Sequence, residues 1–494
     1  MMSVSMLGMV LVALAAAPAE PKLFALVVGN NHAAEKTTPD LRYADDDALA
    51  LHQLLIEAGA RSVLLVRPDE ETGAMHPGIS GLAPTAEGLA VAWQQLKAEL
   101  VAANESGQPV EFLFFFSGHG DVSHGEGFLA LEGGKLTRSE LQAMLAASPA
   151  RRNHVIVDAC KAYFAVLGKG PGGTRAPYPA SFALKTDAAT NSGFLLSSSS
   201  DRDSHEWERY QAGVFSFEVR SALRGSADID GDGVLTYREL GGFLTRANAG
   251  ITNSRLRPDF LVAPPGGAGG IDEPLLRWPA SSAALELDGD SRHVYVEGVA
   301  GKRILESNRG SARSFLIHLP RERPLFVRNA DEREERVIQS IERTSFSAMP
   351  VSQPNLTRKG ALEIAFTNLF SQPFDESAVQ AFVVSNSLST ASESPSLRST
   401  LRVASPIVFG AASVAALVSL GVAIDRSQVN DLTSHAERVS RNQAIAGANV
   451  AMGISGGVAA VAAGLWIFSF TGEPAQSQVE LGVSPGGVSV SGRW

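Results

Sequence analysis

Two apolar stretches, each running directly into a residue capable of chemistry, constrain the fold of this chain more than any other feature. Residues 111–120 read Glu-Phe-Leu-Phe-Phe-Phe-Ser-Gly-His-Gly, and residues 154–160 read His-Val-Ile-Val-Asp-Ala-Cys. Apolar runs without polar interruption are typical of strands buried on both faces of a parallel sheet. Because reacting groups collect where such strands end, the sequence predicts that His119 and Cys160 meet at one edge of a sheet.

Cys160 is the only cysteine in the 494 residues. A single cysteine is often an inert buried residue, and a single histidine is often only a hydrogen-bonded part of the scaffold. Here each follows a buried strand and precedes a loop, which favours a nucleophile with a neighbouring base. We predict Cys160 as the nucleophile, His119 as general base and then general acid, and the N–H group of Gly120 as a donor to the oxyanion.

Strand and helix patterns alternate through the first half of the chain. The predicted elements are strand 23–28, helix 44–58, strand 63–66, helix 87–103, the strand before His119, helix 136–147, the strand before Cys160, strand 193–198 and helix 214–223. Such alternation is typical of a parallel sheet covered by helices on both faces. We therefore expect an α/β/α sandwich with a mostly parallel sheet over residues 20–225.

The residues around both strand ends resemble those of the caspase-like cysteine peptidases of peptidase C14 type, and among them the bacterial metacaspase-like members. The resemblance is carried by Phe-Phe-Ser-Gly-His-Gly at 115–120, Val-Asp-Ala-Cys at 157–160, Leu-Arg-Tyr-Ala-Asp-Asp-Asp-Ala at 41–48 and Gly-Val-Phe-Ser at 213–216. It implies a caspase-like fold and a cysteine endopeptidase that cleaves proteins or peptides with a His119/Cys160 dyad. Eukaryotic caspases have glutamine where Asp158 stands, so cleavage after aspartate is not implied.

Asp158 and Asp47 are the predicted substrate-binding residues. Asp158 lies two residues before Cys160, so in a strand its side chain leans to the same face as the nucleophile. The resemblance assigns Asp47 as the second pocket acid, with Asp45 as its nearest competitor. Two carboxylates bind a guanidinium through charge-assisted hydrogen bonds, which predicts cleavage after Arg or Lys. The alternative is that both acids only cap helices or pair with the basic residues at positions 42 and 161.

A second motif lies at residues 228–239, which read Asp-Ile-Asp-Gly-Asp-Gly-Val-Leu-Thr-Tyr-Arg-Glu. Acids at the first, third and fifth places, glycine at the sixth and glutamate at the twelfth match the EF-hand calcium loop, with its flanking helix over 226–250. The alternative is an acidic turn that binds no ion. The predicted Ca²⁺ ligands are Asp228, Asp230, Asp232, the carbonyl of Val234, Thr236 and Glu239. We predict no organic cofactor.

Composition and the N-terminus restrict the partners and the compartment. The net charge of −10 provides no basic surface for nucleic acid, so DNA or RNA binding is disfavoured. Residues 1–19 have an apolar core followed by Ala-Pro-Ala, which predicts a secretory signal peptide. Because this segment lacks Lys and Arg before its apolar core, an uncleaved anchor is the alternative.

The second half of the chain has a different organisation. Two long uncharged segments predict a transmembrane hairpin, with a buried helical pair in a soluble domain as the alternative. The predicted segments are a linker over 251–280, a small β-sandwich-like domain over 281–345, a helix and Ser-rich linker over 346–400, transmembrane helices at 403–424 and 444–470, and a tail with a β-hairpin over 471–494. The peptidase domain would then lie outside the cytoplasm, in the periplasm of a bacterial cell envelope.

The stretch that follows Cys160, residues 167–191, is rich in Gly, Pro, Ala and Thr and shows no periodicity. It carries Lys169, Arg175 and Lys185, so we predict self-cleavage there, with a plain surface loop as the alternative. Together these features predict an exported, membrane-anchored cysteine peptidase. A calcium-binding membrane adaptor with a caspase-like fold and no turnover is the competing hypothesis, although an adaptor needs neither dyad residue.

Overall fold

The computed structural model divides the chain into two compact units. One unit is Met1–Pro179 with Leu184–Ser385, and the other is Ala180–Ala183 with Asn386–Trp494. The residues that the structure describes are 20–33, 39–124, 126–159, 191–198, 206–207, 210–251, 257–266, 269–287, 293–299, 301–310, 313–329, 334–340, 342–352, 368–391, 479–484 and 487–492.

The first unit begins with alternating strands and helices. Its strands up to residue 277 are β1 (Lys22–Asn30), β2 (Arg61–Val66), β3 (Val110–Gly118), β4 (Gly120–Ser123), β5 (Glu126–Leu131), β6 (Gly134–Thr137), β7 (Arg152–Asp158), β8 (Ser192–Ser198), β9 (Glu206–Trp207), β10 (Ala212–Gly213), β11 (Val234–Thr236), β12 (Asp259–Ala263) and β13 (Pro274–Arg277). Its helices are α1 (Ala44–Glu57), α2 (Glu70–Met75), α3 (Ala86–Glu105), α4 (Arg138–Ala146), α5 (Val214–Ser221), which continues as a π-helical turn over Ala222–Ser226, and α6 (Tyr237–Asn248), and a short 3₁₀ turn spans Gly270–Asp272.

The central sheet has the strand order β12-β8-β7-β3-β1-β2. All neighbours pair in parallel except β12, which runs antiparallel to β8. Successive residues of β3 enter opposite cores: Phe114 packs with α3 and α4 on one face, and Phe115 packs with α1 and α5 on the other. This arrangement confirms the α/β fold with a mostly parallel sheet, and it explains why the apolar strands carry no polar alternation.

Local sequence determines where several helices begin. Thr137 and Glu140 form a reciprocal capping box at the start of α4, and the Thr85 side chain accepts the N–H of Gly88 at the start of α3. Side chains at these positions satisfy backbone donors that have no partner inside the helix. The helices that cover the sheet therefore start at sequence signals rather than at packing contacts alone.

Residues 251–280, predicted as a linker, instead contain two strands. β12 extends the central sheet beside β8, and β13 pairs with β11 in the acidic loop. Each strand is only four or five residues long and lies between Pro and Gly residues. Short strands of this kind form because a partner strand supplies their hydrogen bonds, which the local sequence does not reveal.

A small β domain follows in the same unit. Its strands are β14 (Ala284–Leu287), β15 (His293–Glu297), β16 (Arg303–Asn308), β17 (Phe315–His318), β18 (Leu325–Asn329), β19 (Glu335–Ile338) and β20 (Thr344–Ser345). They form two sheets, in the orders β17-β14-β20 and β16-β15-β18-β19, that share one apolar core including Leu285, Val296 and Val327. Strand β16 shows no clear alternation of apolar and polar residues in its sequence.

The remaining described elements are α7 (Glu376–Ala391) and a hairpin of β21 (Val479–Ser484) and β22 (Gly487–Gly492) in the second unit. No helix among the described residues is long and apolar enough to cross a membrane. The predicted transmembrane helices at 403–424 and 444–470, the signal peptide at 1–19, and the stretch with Lys169, Arg175 and Lys185 lie outside the described residues.

Candidate active site

The two central strands of the sheet end at the same edge. In the parallel register of β3 and β7, Ser117 is paired with Asp158. His119 follows the end of β3 directly and is half-buried. Cys160 lies two residues beyond the end of β7 and is outside the described residues. The chain segments that lead to His119 and to Cys160 therefore leave adjacent strands at one edge.

The backbone around His119 is held on both sides. Its carbonyl oxygen accepts the N–H of Ala130 at 2.9 Å, and the Asn30 side chain donates to the carbonyl of Ala130 at 2.8 Å. A Cβ at Gly118 would lie 2.7 Å from the Phe116 ring and 2.9 Å from the Asn30 carbonyl oxygen, so only glycine fits there. The His-Gly segment is thus placed by close backbone packing.

Gly120, the predicted oxyanion donor, begins β4 and is buried. It is paired with Leu129 in the small antiparallel sheet β4-β5-β6. This three-stranded sheet was not predicted from the sequence. It holds the chain immediately after His119 against the edge of the central sheet, where the catalytic residues are predicted to lie.

Asp158, at the end of β7, is half-buried and accepts three hydrogen bonds from neutral donors. The Ser197 hydroxyl donates to one carboxylate oxygen at 2.7 Å. The N–H and the hydroxyl of Ser216 donate to the other oxygen at 3.0 and 2.7 Å. These donors orient the carboxylate without cancelling its negative charge.

Asp47, in the first turn of α1, is 1% exposed. It accepts the N–H of Gly213 at 2.9 Å, the hydroxyl of Ser117 at 3.3 Å, and an N–H of the Arg220 guanidinium at 3.2 Å. Burial raises the pKa of Asp47 well above its ordinary value, while the positive charge of Arg220 opposes that rise. The predicted alternative, pairing with Arg42, is replaced by pairing with Arg220.

The two predicted pocket acids meet at Gly213. A Cβ at this residue would lie 2.7 Å from a carboxylate oxygen of Asp158 and 3.0 Å from one of Asp47. Asp45, the competitor of Asp47, points elsewhere: it accepts hydrogen bonds from the Asn31 side chain at 2.8 Å and from the N–H of Asp69 at 2.9 Å. The structure therefore brings Asp47 and Asp158 together and leaves Asp45 out.

Other polar residues of this site were not predicted. Ser197, Ser216 and Arg220 are partners of the two acids, and of these only Ser216 lies in a motif, Gly-Val-Phe-Ser at 213–216, that the sequence analysis singled out. Glu206 is a third acid nearby: its carboxylate accepts the N–H groups of Arg42 and Tyr43 at 3.0 and 2.8 Å. Burial raises the pKa of Glu206, and the charge of Asp158 adds to that rise.

The predicted calcium loop brings three acids together. Carboxylate oxygens of Asp228, Asp230 and Asp232 lie within 4.8 Å of one another. Asp228 is buried and accepts the N–H groups of Gly231 and Gly233 at 2.7 and 3.0 Å. Both glycines have positive φ angles, 80° and 78°, which allows the sharp turn that brings the acids together.

The last predicted ligands lie at the end of the loop. Val234 and Thr236 belong to β11, and Glu239 is in the first turn of α6. The Glu239 carboxylate forms a capping box with Thr236 and accepts the N–H of Ile229 at 3.0 Å. Burial raises the pKa of Glu239 to about 7. Glu239 is not part of the group of three converging carboxylates.

Comparison with known proteins supports a caspase-like domain in the first part of the chain. Residues 22–256 match the family model described as the caspase domain. Two similar solved structures are both 13% identical: "structure of pro-sf-caspase-1", which covers 43% of this chain and 73% of its own with a TM-score of 0.23, and "Crystal Structure of Caspase-1 from Spodoptera frugiperda", which covers 51% and 94% with a TM-score of 0.30. No curated protein matches the chain.

Proposed function

We propose that this protein is a caspase-like cysteine endopeptidase that cleaves peptide bonds after Arg or Lys through a His119/Cys160 dyad. The observation that carries the proposal is the arrangement at one sheet edge, where His119 follows β3 while Asp47 and Asp158 converge on Gly213. The match of residues 22–256 to the caspase domain supports the same reaction class. A domain with this family assignment implies a protein or peptide substrate.

In the proposed mechanism, His119 removes the proton of the Cys160 thiol, and the thiolate attacks the carbonyl carbon before the scissile bond. The backbone N–H groups of Gly120 and Cys160 stabilise the negative oxygen that forms. His119 then returns its proton to the leaving amine, which breaks the C–N bond and leaves an acyl-enzyme. Water, deprotonated by His119, hydrolyses the thioester and restores the thiol.

The proposed preference for basic residues rests on the charges of the pocket. Arg220 offsets the charge of Asp47, whereas the partners of Asp158 are neutral. With Asp47 ionised, the two acids and Arg220 together carry one net negative charge at this edge of the sheet. An Arg or Lys side chain would neutralise it, and an acidic side chain would meet like charge in a half-buried site. Glu206 is a further candidate for contact with the basic group.

We also propose that residues 228–239 bind Ca²⁺. The convergence of the three loop carboxylates supports this proposal, because calcium prefers clustered oxygen ligands. Asp228, Asp230 and Asp232 would provide side-chain oxygens, with Val234, Thr236 and Glu239 as the remaining proposed ligands. Bound calcium would supply positive charge to this loop, which follows α5 and precedes α6.

The proposed location is the bacterial cell envelope, with the peptidase domain in the periplasm and the C-terminal segments in a membrane. This part of the proposal rests on the sequence of residues 1–19, 403–424 and 444–470. Self-cleavage after Lys169, Arg175 or Lys185 belongs to the same proposal, since these residues follow the predicted nucleophile.

The experiment that tests the proposed function compares the full-length chain with Cys160→Ala on peptide libraries varied at the residue before the scissile bond. We expect cleavage after Arg and Lys, and neither cleavage nor thiol labelling in the variant, because no other cysteine exists. His119→Ala should lower the rate by about 10² to 10⁴ through loss of proton transfer. Turnover by Cys160→Ala would exclude the dyad, and folded wild-type protein without turnover would favour the adaptor.

A further inference from the structure

Three consecutive aspartates in the first turn of α1 are all buried, and each is bound by a different part of the chain. Asp45 is bound by Asn31 and the backbone of Asp69, and Asp47 is bound by Gly213, Ser117 and Arg220. Asp46 is 4% exposed and forms an ion pair with Lys302, and it also accepts a hydrogen bond from the Thr72 hydroxyl at 3.1 Å. Lys302 is thus the one of these partners that comes from the β domain.

Lys302 is presented by a tight turn between β15 and β16. The N–H of Gly298 donates to the carbonyl of Lys302 at 3.0 Å, and Gly301 has a φ of 79°. The neighbouring Arg303 donates to the Glu306 carboxylate, and the N–H of Glu306 donates to the Ser221 hydroxyl at 3.1 Å. The strand that follows the turn is therefore bound to α5, and Lys302, at the end of the turn, forms its ion pair with Asp46 of α1.

A cleft of about 70 Å³ lies at this junction, lined by Asp46, Arg220 and Lys302 among others. Arg220 is buried, and the charges of Asp47, Asp46 and Asp158 all act on it. Arg220 thus lies within the electrostatic influence of two neighbouring acids, Asp46 and Asp47, and Lys302 lines the same cleft as Asp46. In the structure each acid has its own cation, because Lys302 binds Asp46 and leaves Arg220 for Asp47.

We propose that Lys302 of the β domain is a positioning residue for the specificity pocket, acting by keeping Asp46 from competing with Asp47 for Arg220. The inference rests on the proposed role of Asp47 and Asp158 in binding a basic side chain. Without Lys302, the buried carboxylate of Asp46 loses its cation, and the Arg220 guanidinium is a positive charge that remains within its electrostatic influence. Arg220 is then drawn to Asp46, and Asp47, deprived of its counter-charge in a buried site, takes up a proton. The pocket then keeps the charge of Asp158 but loses the ionised, aligned carboxylate of Asp47 as a partner for a basic side chain.

The test measures binding rather than cleavage, with benzamidine as an amidinium probe, calorimetrically, in the full-length Cys160→Ala protein. Lys302→Met should weaken benzamidine binding about tenfold, because the pocket loses the ionised and aligned carboxylate of Asp47. Lys302→Arg should restore it to within about threefold of the parent. The matched control is Arg343→Gln, which removes an exposed ion pair with Glu286 in the same β domain and should change nothing.

The decisive variant is Asp46→Asn combined with Lys302→Met. Removing the competing charge should restore benzamidine affinity to within about threefold of the parent, as a double-mutant cycle requires for a direct pair. The inference would be overturned if neither this variant nor Lys302→Met folded. It would also be overturned if Lys302→Met bound benzamidine as tightly as the parent. Either result would leave the proposed dyad intact. A parent that cleaves peptides but does not bind benzamidine would overturn the pocket and the inference together.

Discussion

The proposed pocket acids and the loop acids of this protein differ in the groups that compensate their charges. Asp47 and Asp158 are held by serine hydroxyls, backbone N–H groups and the Arg220 guanidinium, which orient them and offset one of the two charges. Asp228 and Asp232 accept hydrogen bonds from the backbone of their own loop. With Asp230, they bring three carboxylates within 4.8 Å of one another.

This difference indicates which ligand each region suits. In the proposed pocket, much of the electrostatic compensation is already built into the fold, so a ligand with one positive charge would complete it. In the loop, the mutual repulsion of the acids raises the pKa of Asp228, after the larger effect of burial. A divalent cation would relieve that repulsion. A cluster of acidic residues therefore does not by itself specify which cation binds. The hydrogen-bond donors and counter-charges around the acids determine how much positive charge the ligand must bring.

The largest expected effect separates the two regions by activity. Asp158→Ala should lower kcat/KM for Arg and Lys substrates by about 10²-fold or more, because the uncompensated pocket charge is lost. Asp230→Asn in the loop should leave the preference for basic residues unchanged. Steady-state kinetics on matched peptides with Arg or Gln before the scissile bond would show this. An Asp158→Ala enzyme that prefers Arg as strongly as wild type would contradict the pocket.

Calcium should separate the regions by stability. At a free Ca²⁺ concentration of 100 times the dissociation constant, binding adds about 2.7 kcal/mol to the free energy of unfolding. Chelation should therefore lower the melting temperature of the wild type, and Glu239→Gln or Asp230→Asn should reduce that response. Asp158→Asn serves as the control and should retain the full calcium response. If calcium changed the melting temperature of neither the wild type nor the variants, the loop would be only an acidic turn.

The smallest expected effect is a loss of folding stability at low pH, caused by a histidine packed near the predicted calcium loop. His318 stacks on Trp278, with ring centroids 4.2 Å apart. The backbone N–H of Trp278 donates to the Gly233 carbonyl in the loop at 3.0 Å. Burial lowers the pKa of His318 from 6.5 to about 3. The unfolded chain therefore binds a proton between these pH values that the folded chain does not, so stability falls as the pH falls through this window.

The slope linked to one such proton is about 1.4 kcal/mol per pH unit. Urea unfolding between pH 7 and pH 4 would measure it. His318→Phe keeps an aromatic ring against Trp278 and removes the titration, so its stability should depend less steeply on pH. If the variant and the wild type lose stability in parallel, the buried histidine does not titrate as expected, and the loop side has no acid sensitivity of its own.

Many elements of the first half could be predicted because their signals are local. The apolar runs of β3 and β7 occupy both faces of the sheet, and helices such as α4 begin at capping residues. In the structure Asp47 and Asp158 both approach Gly213 while Asp45 binds Asn31, and the role of the two acids in substrate binding stays a prediction. The dyad itself stays a prediction, since Cys160 lies outside the described residues.

The missed features depend on partners that are distant in the chain. Strand β12 exists because β8 offers an edge, and β16 because it packs between β15 and α5. Their sequences are short or polar, so neither shows a strand pattern by itself. The prediction of a linker over 251–280 was therefore wrong, because hydrogen bonds supplied by another element outweighed a weak local propensity.

The sequence by itself determined the chemical types and the local elements: a histidine and a cysteine after buried strands, an acid before the cysteine, and an acidic loop with glycines at its turns. Tertiary structure alone decided the compensation of charge. Arg220 lies 173 residues from Asp47, and Lys302 lies 256 residues from Asp46. No periodicity connects residues so far apart, because an ion pair forms only where packing excludes water and brings the charges together.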